Sequence, residues 1–203
     1  RARVPRAHSV VILTDERQQL HFRPLFTIAR RLGVTCSLEH VWFGLLRLPE
    51  GTISTREGKL IGLEALLDEA EARAFEVATQ ASPELPESDR RAIARVVGIG
   101  AVKYNDLSKD RTTLVTFTWD KALSLTGNSG PYLQYAYARI QSILRKAAAE
   151  GAAPGAIGAL EASERALVTK LYDYGAAVEA VAAQTRPHLL CDYLYDLAGT
   201  FST

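Results

Sequence analysis

The chain has 203 residues, 47% of them hydrophobic and 23% charged, which is the composition of a folded protein able to bury a core in one domain or two and excludes a disordered chain. Lys and Arg sum to 24 against 23 Asp and Glu, a net charge of +1, so no global field captures nucleic acid, although local basic patches can still bind phosphate. No apolar run reaches the roughly 18 residues of a membrane span, and Cys36 and Cys191 lack metal-ligand spacing, which points to reduced, mostly buried thiols in a cytosolic setting. The chain begins at Arg1, has no methionine and shows no signal-peptide pattern, so the expectation is an internal or trimmed piece.

Ser9 to Leu13, SVVIL, is a β-branched run that predicts a buried parallel strand. Thr14 and Asp15 supply a loop exit or helix cap. The helix that follows places Leu25, Ile28, Ala29 and Leu32 on one face, and Gly33 stops it. Val34 to Phe43 predicts a second strand. Strand, helix, strand is the grammar of an α/β layer, whose ligands collect beyond the carboxyl ends of the strands. Asp15, Gln18 and His21, spaced three and three, are expected on one helix face at such an exit. There Asp15 and Gln18 suit a cationic or amide-bearing substrate. His21 suits a nucleotide contact or a packed, hydrogen-bonded role.

Gly51 to Gly62, GTISTREGKLIG, sets Ser54, Thr55, Arg56 and Lys59 among glycines just before a periodic run. Hydroxyl, guanidinium and ammonium groups all donate to phosphate oxygens, and a helix starting at Gly62 or Leu63 adds unpaired amides and a positive dipole end. The P-loop spacing is absent, so the choice lies between a polyanion loop and a solvated one. The next helix, Leu63 to Gln80, offers Leu63, Leu66, Leu67, Ala70, Ala74 and Val77 to a core. A proline-bearing linker from Ala81 to Ser88 follows, then a helix over Asp89 to Val102 facing a partner with Ile93, Val96, Val97 and Gly100. Lys103 to Lys109, KYNDLSK, is expected to be exposed. Arg111 to Trp119 predicts a short strand or hairpin arm.

Thr126 to Pro131, TGNSGP, is a turn leading into a helix with Pro131 in its first turn. Leu133, Ala136, Tyr137, Ile140 and Leu144 form an expected buried stripe. Tyr132, Tyr135 and Arg139 occupy a neighbouring face, where they could stack on bases or meet phosphate, or simply pack. After the small-residue loop from Gly151 to Gly158, a single long helix from Leu160 to Arg186 closes at Pro187, and another begins at His188. The second half thus reads as a helical bundle behind an α/β front.

Ordered blocks then carry a resemblance over nearly the whole chain. Ser54-Thr55-Arg56-Glu57-Gly58 with the following LIGLEALLDEA resembles the second signature loop and helix of bacterial arginyl-tRNA synthetases, class I ligases. Val102 to Ser108, Gly127 to Ala136 and Gln18 to Phe22 resemble further blocks of that family. The resemblance implies an α/β fold: residues 1–74 as the carboxyl half of a Rossmann-like catalytic domain, 75–125 as a connecting stem, and 126–203 as an incomplete all-α anticodon-binding bundle. It implies ATP with Mg2+, arginine and arginine tRNA as partners, no membrane, a cytoplasmic setting and a monomer at full length.

By the same resemblance Gln18 orients substrate arginine and His21 lies near adenosine, while Asp15 is a substrate-binding candidate on its charge and position alone. Ser54, Thr55 and Arg56 act on the ATP phosphates with Lys59 nearby, and Asn128, Tyr132, Tyr135 and Arg139 meet RNA. No protein metal site is implied. Thr52 and Thr55 stand where the class signature usually has lysines, so a cationic contact must come from Arg56, Lys59 or elsewhere. The class's first signature, a His-Ile-Gly-His-like motif, is missing and belongs upstream, so this piece alone is expected to be inactive. The alternatives are a non-catalytic RNA-binding module and a scaffold.

Overall fold

The computed structural model describes residues 7–44, 46–48, 51–52 and 62–202. Strand β1, Ser9–Asp15, pairs in parallel with β2, Ser37–Phe43, with Ile12 opposite His40 and Leu13 opposite Val41. A 3-10 turn, Glu16–Gln18, and helix α1, Gln19–Arg31, make the crossover between them. Gly33, at φ 90°, ends that crossover in a backbone region open mainly to glycine.

The face that α1 turns to the sheet differs from the expected one. Phe22 is buried and stacks at 4.4 Å on His40, with Phe26 beside it at 5.9 Å, while Leu25, Ile28 and Leu32 are exposed. Two apolar stripes share this helix, and the aromatic one reaches the sheet. The buried character expected of β1 also fails: Val11 is exposed and Leu13 is 64% exposed. Both line an open cleft of about 540 Å³ with Val41 and Phe43, because alternation sends these residues to the sheet face opposite α1.

A second small sheet joins β3, Leu46–Leu48, antiparallel to β4, Gly51–Thr52, and parallel to β5, Val115–Thr116. Thus the strand expected over residues 111–119 shrinks to two residues. Phe117 is buried edge-on against Trp119, which opens the short helix α4, Trp119–Ala122.

Helices α2, Leu63–Ala81, and α3, Glu87–Leu107, pack side by side. The large apolar residues do not make the closest approach. Ala70 on α2 meets Gly98 on α3, where an added Cβ would lie 2.6 Å from the Ala70 carbonyl oxygen. Ala94, Gly98, Ala101 and Val102 form the buried stripe of α3, whereas Ile93 and Val96 are exposed. Ala70, Val102, Phe117 and Ala122 make the core of this middle section, with Leu66, Leu67 and Trp119 around it. Residues 103–107, expected in an exposed connector, instead complete α3, and Ser108 caps it and is buried.

The bundle comprises α5, Gly130–Ala149; α6, Ala162–Tyr172; α7, Tyr174–Gln184; and α8, His188–Ser202. Of the stripe expected on α5, Ala136 is buried, but Tyr137 and Leu144 are exposed. The long helix expected after Leu160 is two helices, interrupted at Asp173. Thr185 ends α7 at φ 50°, a left-handed position uncommon for a β-branched residue. A partial parallel α/β layer therefore leads, through a helical middle section, into an all-helical bundle.

Candidate functional site

Asp15 ends β1, at the carboxyl edge of the parallel pair. Its carboxylate accepts the backbone N–H of Arg17 at 2.8 Å, which caps the 3-10 turn. The same carboxylate takes the Arg17 guanidinium in a two-pronged grip, Nε to Oδ1 at 2.7 Å and Nη2 to Oδ2 at 2.9 Å. The Arg17 side-chain bond, then the backbone bond, hold the Asp15 carboxyl below its ordinary range.

Asp15, Gln18 and His21 come from three elements rather than one helix: strand end, 3-10 turn and α1. Gln18 is exposed where α1 begins and makes no side-chain cap. His21 is exposed, edge-on to Phe22 at 5.2 Å. Behind them, Thr14 Oγ1 and His40 Nε2 share a hydrogen bond of 2.7 Å that ties the end of β1 to the middle of β2.

Ser54, Thr55, Arg56 and Lys59 lie outside the described residues. What is described around them is backbone: β4 at one end and, at the other, extended Gly62 leading into α2 at Leu63. Gly62 offers no side-chain cap, so the first-turn amides of α2 face the end of this stretch. Glu64, in the same turn, puts a negative charge near them.

At the other end of the chain, Ser129 builds the start of α5. Its Oγ accepts the Tyr132 N–H at 3.2 Å and donates to the Ser124 carbonyl, and Pro131 is fully buried in the first turn. Asn128 is exposed but engaged: its Oδ1 accepts the Tyr104 hydroxyl at 2.6 Å, and its Nδ2 lies 3.5 Å from Asp192 Oδ1. The Tyr104 hydroxyl also reaches the Cys191 carbonyl at 3.1 Å. Burial, with Cys191, Asp192 and Tyr195 nearby, pushes the Tyr104 phenol upward, so it stays a neutral donor. Tyr132 is half-buried against Tyr195, ring centroids 5.6 Å apart, whereas Tyr135 is 57% exposed and Arg139 is exposed. Tyr135 and Arg139 are thus the members of the expected RNA face left open to solvent.

Sequence reasoning did not find the residue that joins these ends. Arg111 donates Nη1 to the Trp42 carbonyl at 2.6 Å and Nε to the Thr185 carbonyl at 3.2 Å, while its own carbonyl accepts the Gly44 N–H at 2.7 Å. One residue thereby fastens β2 to the end of α7. Beside it Asp110 accepts the Thr112 N–H and hydroxyl, both at 2.9 Å, and pairs with Arg186 at 3.4 Å. The Thr112 backbone bond, more than Arg186 or His188, lowers the Asp110 carboxyl. An Asp two residues before a Thr is a readable turn signal; the reach of Arg111 has none. Among the described residues no cluster of three His, Cys, Asp or Glu could hold a metal, and no helix is long and apolar enough to cross a membrane.

Residues 1–119 match the family model described as the catalytic domain of class I (R) tRNA synthetases, and residues 133–203 match the DALR anticodon binding domain. The arginine-tRNA ligase of Marinomonas sp. is 44% identical over 202 residues, covering 97% of this chain and 35% of that protein. That of Azotobacter vinelandii is 46% identical, with 100% and 36% covered. Among solved structures, the Thermus thermophilus arginyl-tRNA synthetase superposes with a TM-score of 0.83 at 30% identity, over 98% of this chain and 33% of that one. The Plasmodium falciparum arginyl-tRNA synthetase shares the fold, with a TM-score of 0.78 at 24% identity over 97% and 34%. The chain spans about a third of the length of the curated relatives it matches.

Proposed function

Since the chain belongs to the arginine-specific class I tRNA synthetases, we propose that it forms the rear of an enzyme that activates arginine with ATP and esterifies it to the terminal ribose of its tRNA. The observation that carries this reading is the order of the two family matches, catalytic over 1–119 and anticodon-binding over 133–203. The arginine carboxylate attacks the α-phosphate of ATP, giving arginyl-adenylate and pyrophosphate; a ribose hydroxyl of the tRNA then takes the arginyl group and releases AMP. Such chemistry asks for positioning and charge stabilisation rather than a protein nucleophile.

In this reading Asp15 and Gln18, at the carboxyl edge of the sheet, receive substrate arginine, and His21 lies toward adenosine. Ser54, Thr55, Arg56 and Lys59 meet the phosphates, and magnesium travels with ATP, bound by phosphate oxygens and water. Tyr135 and Arg139 give RNA a ring and a cation, while Tyr132 and Asn128 hold the start of α5 in register beneath them. We assign residues 1–74 to the catalytic layer, 75–125 to the stem and 126–203 to the anticodon-binding bundle, in a cytoplasmic enzyme that is monomeric at full length. The 203 residues alone lack a first signature motif and are expected not to charge tRNA.

ATP-pyrophosphate exchange by a full-length protein carrying these residues, run with each amino acid and with and without tRNA, tests the reading. Exchange confined to arginine supports it. A folded full-length protein that neither exchanges with arginine nor charges arginine tRNA would leave a non-catalytic RNA-binding role. Clear charging by residues 1–203, free of contaminating synthetase, would refute the division of labour.

A further inference from the structure

We infer that Arg111 is a positioning residue for the activation step: it fixes the carboxyl end of β2, at the sheet edge where ATP and arginine meet, against the end of α7 in the bundle. The inference rests on the reading above that this chain supplies part of an arginine-activating site. Three sets of contacts, drawn from separate elements, support it.

First, Arg111 reaches both sides of the joint. Its Nη1 donates to the Trp42 carbonyl, one residue from the end of β2, at 2.6 Å, and its Nε donates to the carbonyl of Thr185, which caps α7, at 3.2 Å. A guanidinium is planar and rigid, so donors on one fork hold the two carbonyls at a set separation. The same group lies 5.8 Å from the Trp42 ring. Because these partners are protein groups on either side, the part of Arg111 is to place others.

Second, the backbone that carries Arg111 is locked to the strand end. The Arg111 carbonyl accepts the Gly44 N–H at 2.7 Å, and a Cβ on Gly44 would lie 2.7 Å from the Thr113 carbonyl oxygen. A little further on, Val115 and Thr116 of β5 pair with Leu46 and Arg47 of β3. Asp110 fixes the turn between: it accepts the Thr112 N–H on its carboxylate at 2.9 Å and the Thr113 N–H on its carbonyl at 3.0 Å.

Third, the end of α7 is held in a conformation that it would not choose alone. Thr185 sits at φ 50°, unfavourable for a β-branched residue. Besides the bond from Arg111 to its carbonyl, its hydroxyl lies 2.9 Å from Glu39 Oε1 on β2 and 2.7 Å from the Gln184 carbonyl, and Arg186 pairs with Asp110. Glu39, Asp110 and Arg111 fall in the catalytic-domain match and Thr185 and Arg186 in the anticodon-binding one, so these ties cross from one to the other. Reaction rates depend steeply on such placement, since a misplacement of about 1 Å can cost about a hundredfold. Loosening the clasp therefore slows the chemistry while each half stays folded and tRNA still binds.

The test is ATP-pyrophosphate exchange with arginine in the full-length protein at saturating tRNA. It compares the parent with Arg111→Gln, Arg111→Lys and Gly44→Ala, each at a temperature where far-UV circular dichroism shows it folded, with tRNA binding measured on the same preparations. Gly44→Ala wedges the joint from the strand side without touching the guanidinium, so it decides the matter if an Arg111 variant fails to fold. Arg111→Gln and Gly44→Ala are expected to lower kcat by about tenfold, and Arg111→Lys, which keeps one donor, by less, with Kd for tRNA at the parent's value. A folded Arg111→Gln or Gly44→Ala variant with the parent's kcat overturns the inference. So does weakened tRNA binding with kcat unchanged, which would confine Arg111 to shaping the bundle. A folded parent that does not exchange with arginine would instead refute the reading of function beneath it.

Discussion

Alanine at Gly98 sets two opposing effects against each other at one position, and the structure decides which wins. In an exposed helix the exchange of glycine for alanine stabilises by about 1 kcal/mol, because the unfolded chain has less freedom to lose. At Gly98 the new Cβ would lie 2.6 Å from the Ala70 carbonyl oxygen, 2.7 Å from its carbon and 2.8 Å from the Glu71 nitrogen. These are backbone atoms of α2, so no side chain can turn aside; the two helices must part by roughly 1 Å to restore an ordinary contact. A shift of that size loosens the core of Ala70, Val102, Phe117 and Ala122. Overpacking of this kind costs about 1 to 3 kcal/mol. With three backbone atoms inside 3 Å of the new Cβ the cost falls in the upper part of that range, about 2 to 3 kcal/mol; offset by propensity, the net loss is about 1 to 2 kcal/mol, a fall in Tm of about 2 to 8 °C for a chain of this size. Gly175, in α7, is the control, since a Cβ there meets nothing within 4 Å. Thermal unfolding followed by far-UV circular dichroism should show Gly98→Ala below the parent and Gly175→Ala at or above it. A Gly98→Ala variant as stable as the parent would refute the claim that α2 and α3 touch through their backbones.

Arg111→Ala leaves the Trp42 and Thr185 carbonyls without their donor and should lose about 2 to 3 kcal/mol, with Arg111→Lys recovering only part because an ammonium lacks the fork; a change in Tm below about 1 °C for the alanine variant would count against the clasp. The Asp110 carboxyl is held low when folded, so its contribution is present above the unfolded value near 4 and is lost as pH falls through the folded one. Asp110→Asn should therefore flatten the fall in Tm below about pH 4, and an acid limb of unchanged steepness would speak against it. In the full-length protein Tyr135→Ala should weaken tRNA binding by about 1 to 3 kcal/mol per base stacked on it, with helicity retained. Tyr132→Ala should instead lower Tm by loosening α5 from Tyr195. Full tRNA affinity in a well-folded Tyr135→Ala variant would return that ring to a packing role.

Element type was legible wherever the signal was local. The β-branched run at Ser9, the glycine stop at Gly33 and the proline in the first turn of α5 each act through their own backbone, and each element formed where expected. Which face an element buries was not, because that depends on its neighbour. On α1 the aliphatic stripe competed with Phe22 and Phe26, and the rings won because Phe22 reaches His40 and Phe26 packs on Phe22. On α3 large side chains suggested Ile93 and Val96, but close packing selected the smallest residues instead. Polarity misled at KYNDLSK: Tyr104 and Ser108 find partners, so that stretch continues α3 rather than entering solvent. At the site, the residue types at 15, 18 and 21 were readable. The hold of Arg17 on Asp15 was not, since two residues' separation announces a turn and not an ion pair.

Among the described strands, β1 has a neighbour on one side only, β2. Its far margin is a row of amides and carbonyls with no partner strand among the described residues, and the apolar side chains of Val11 and Leu13 are exposed on one face of the strand. A margin like that templates whatever extended backbone arrives first, including another copy of itself. Concentrated solutions of these 203 residues should therefore self-associate through β1, and a lysine at Val11 should keep them apart.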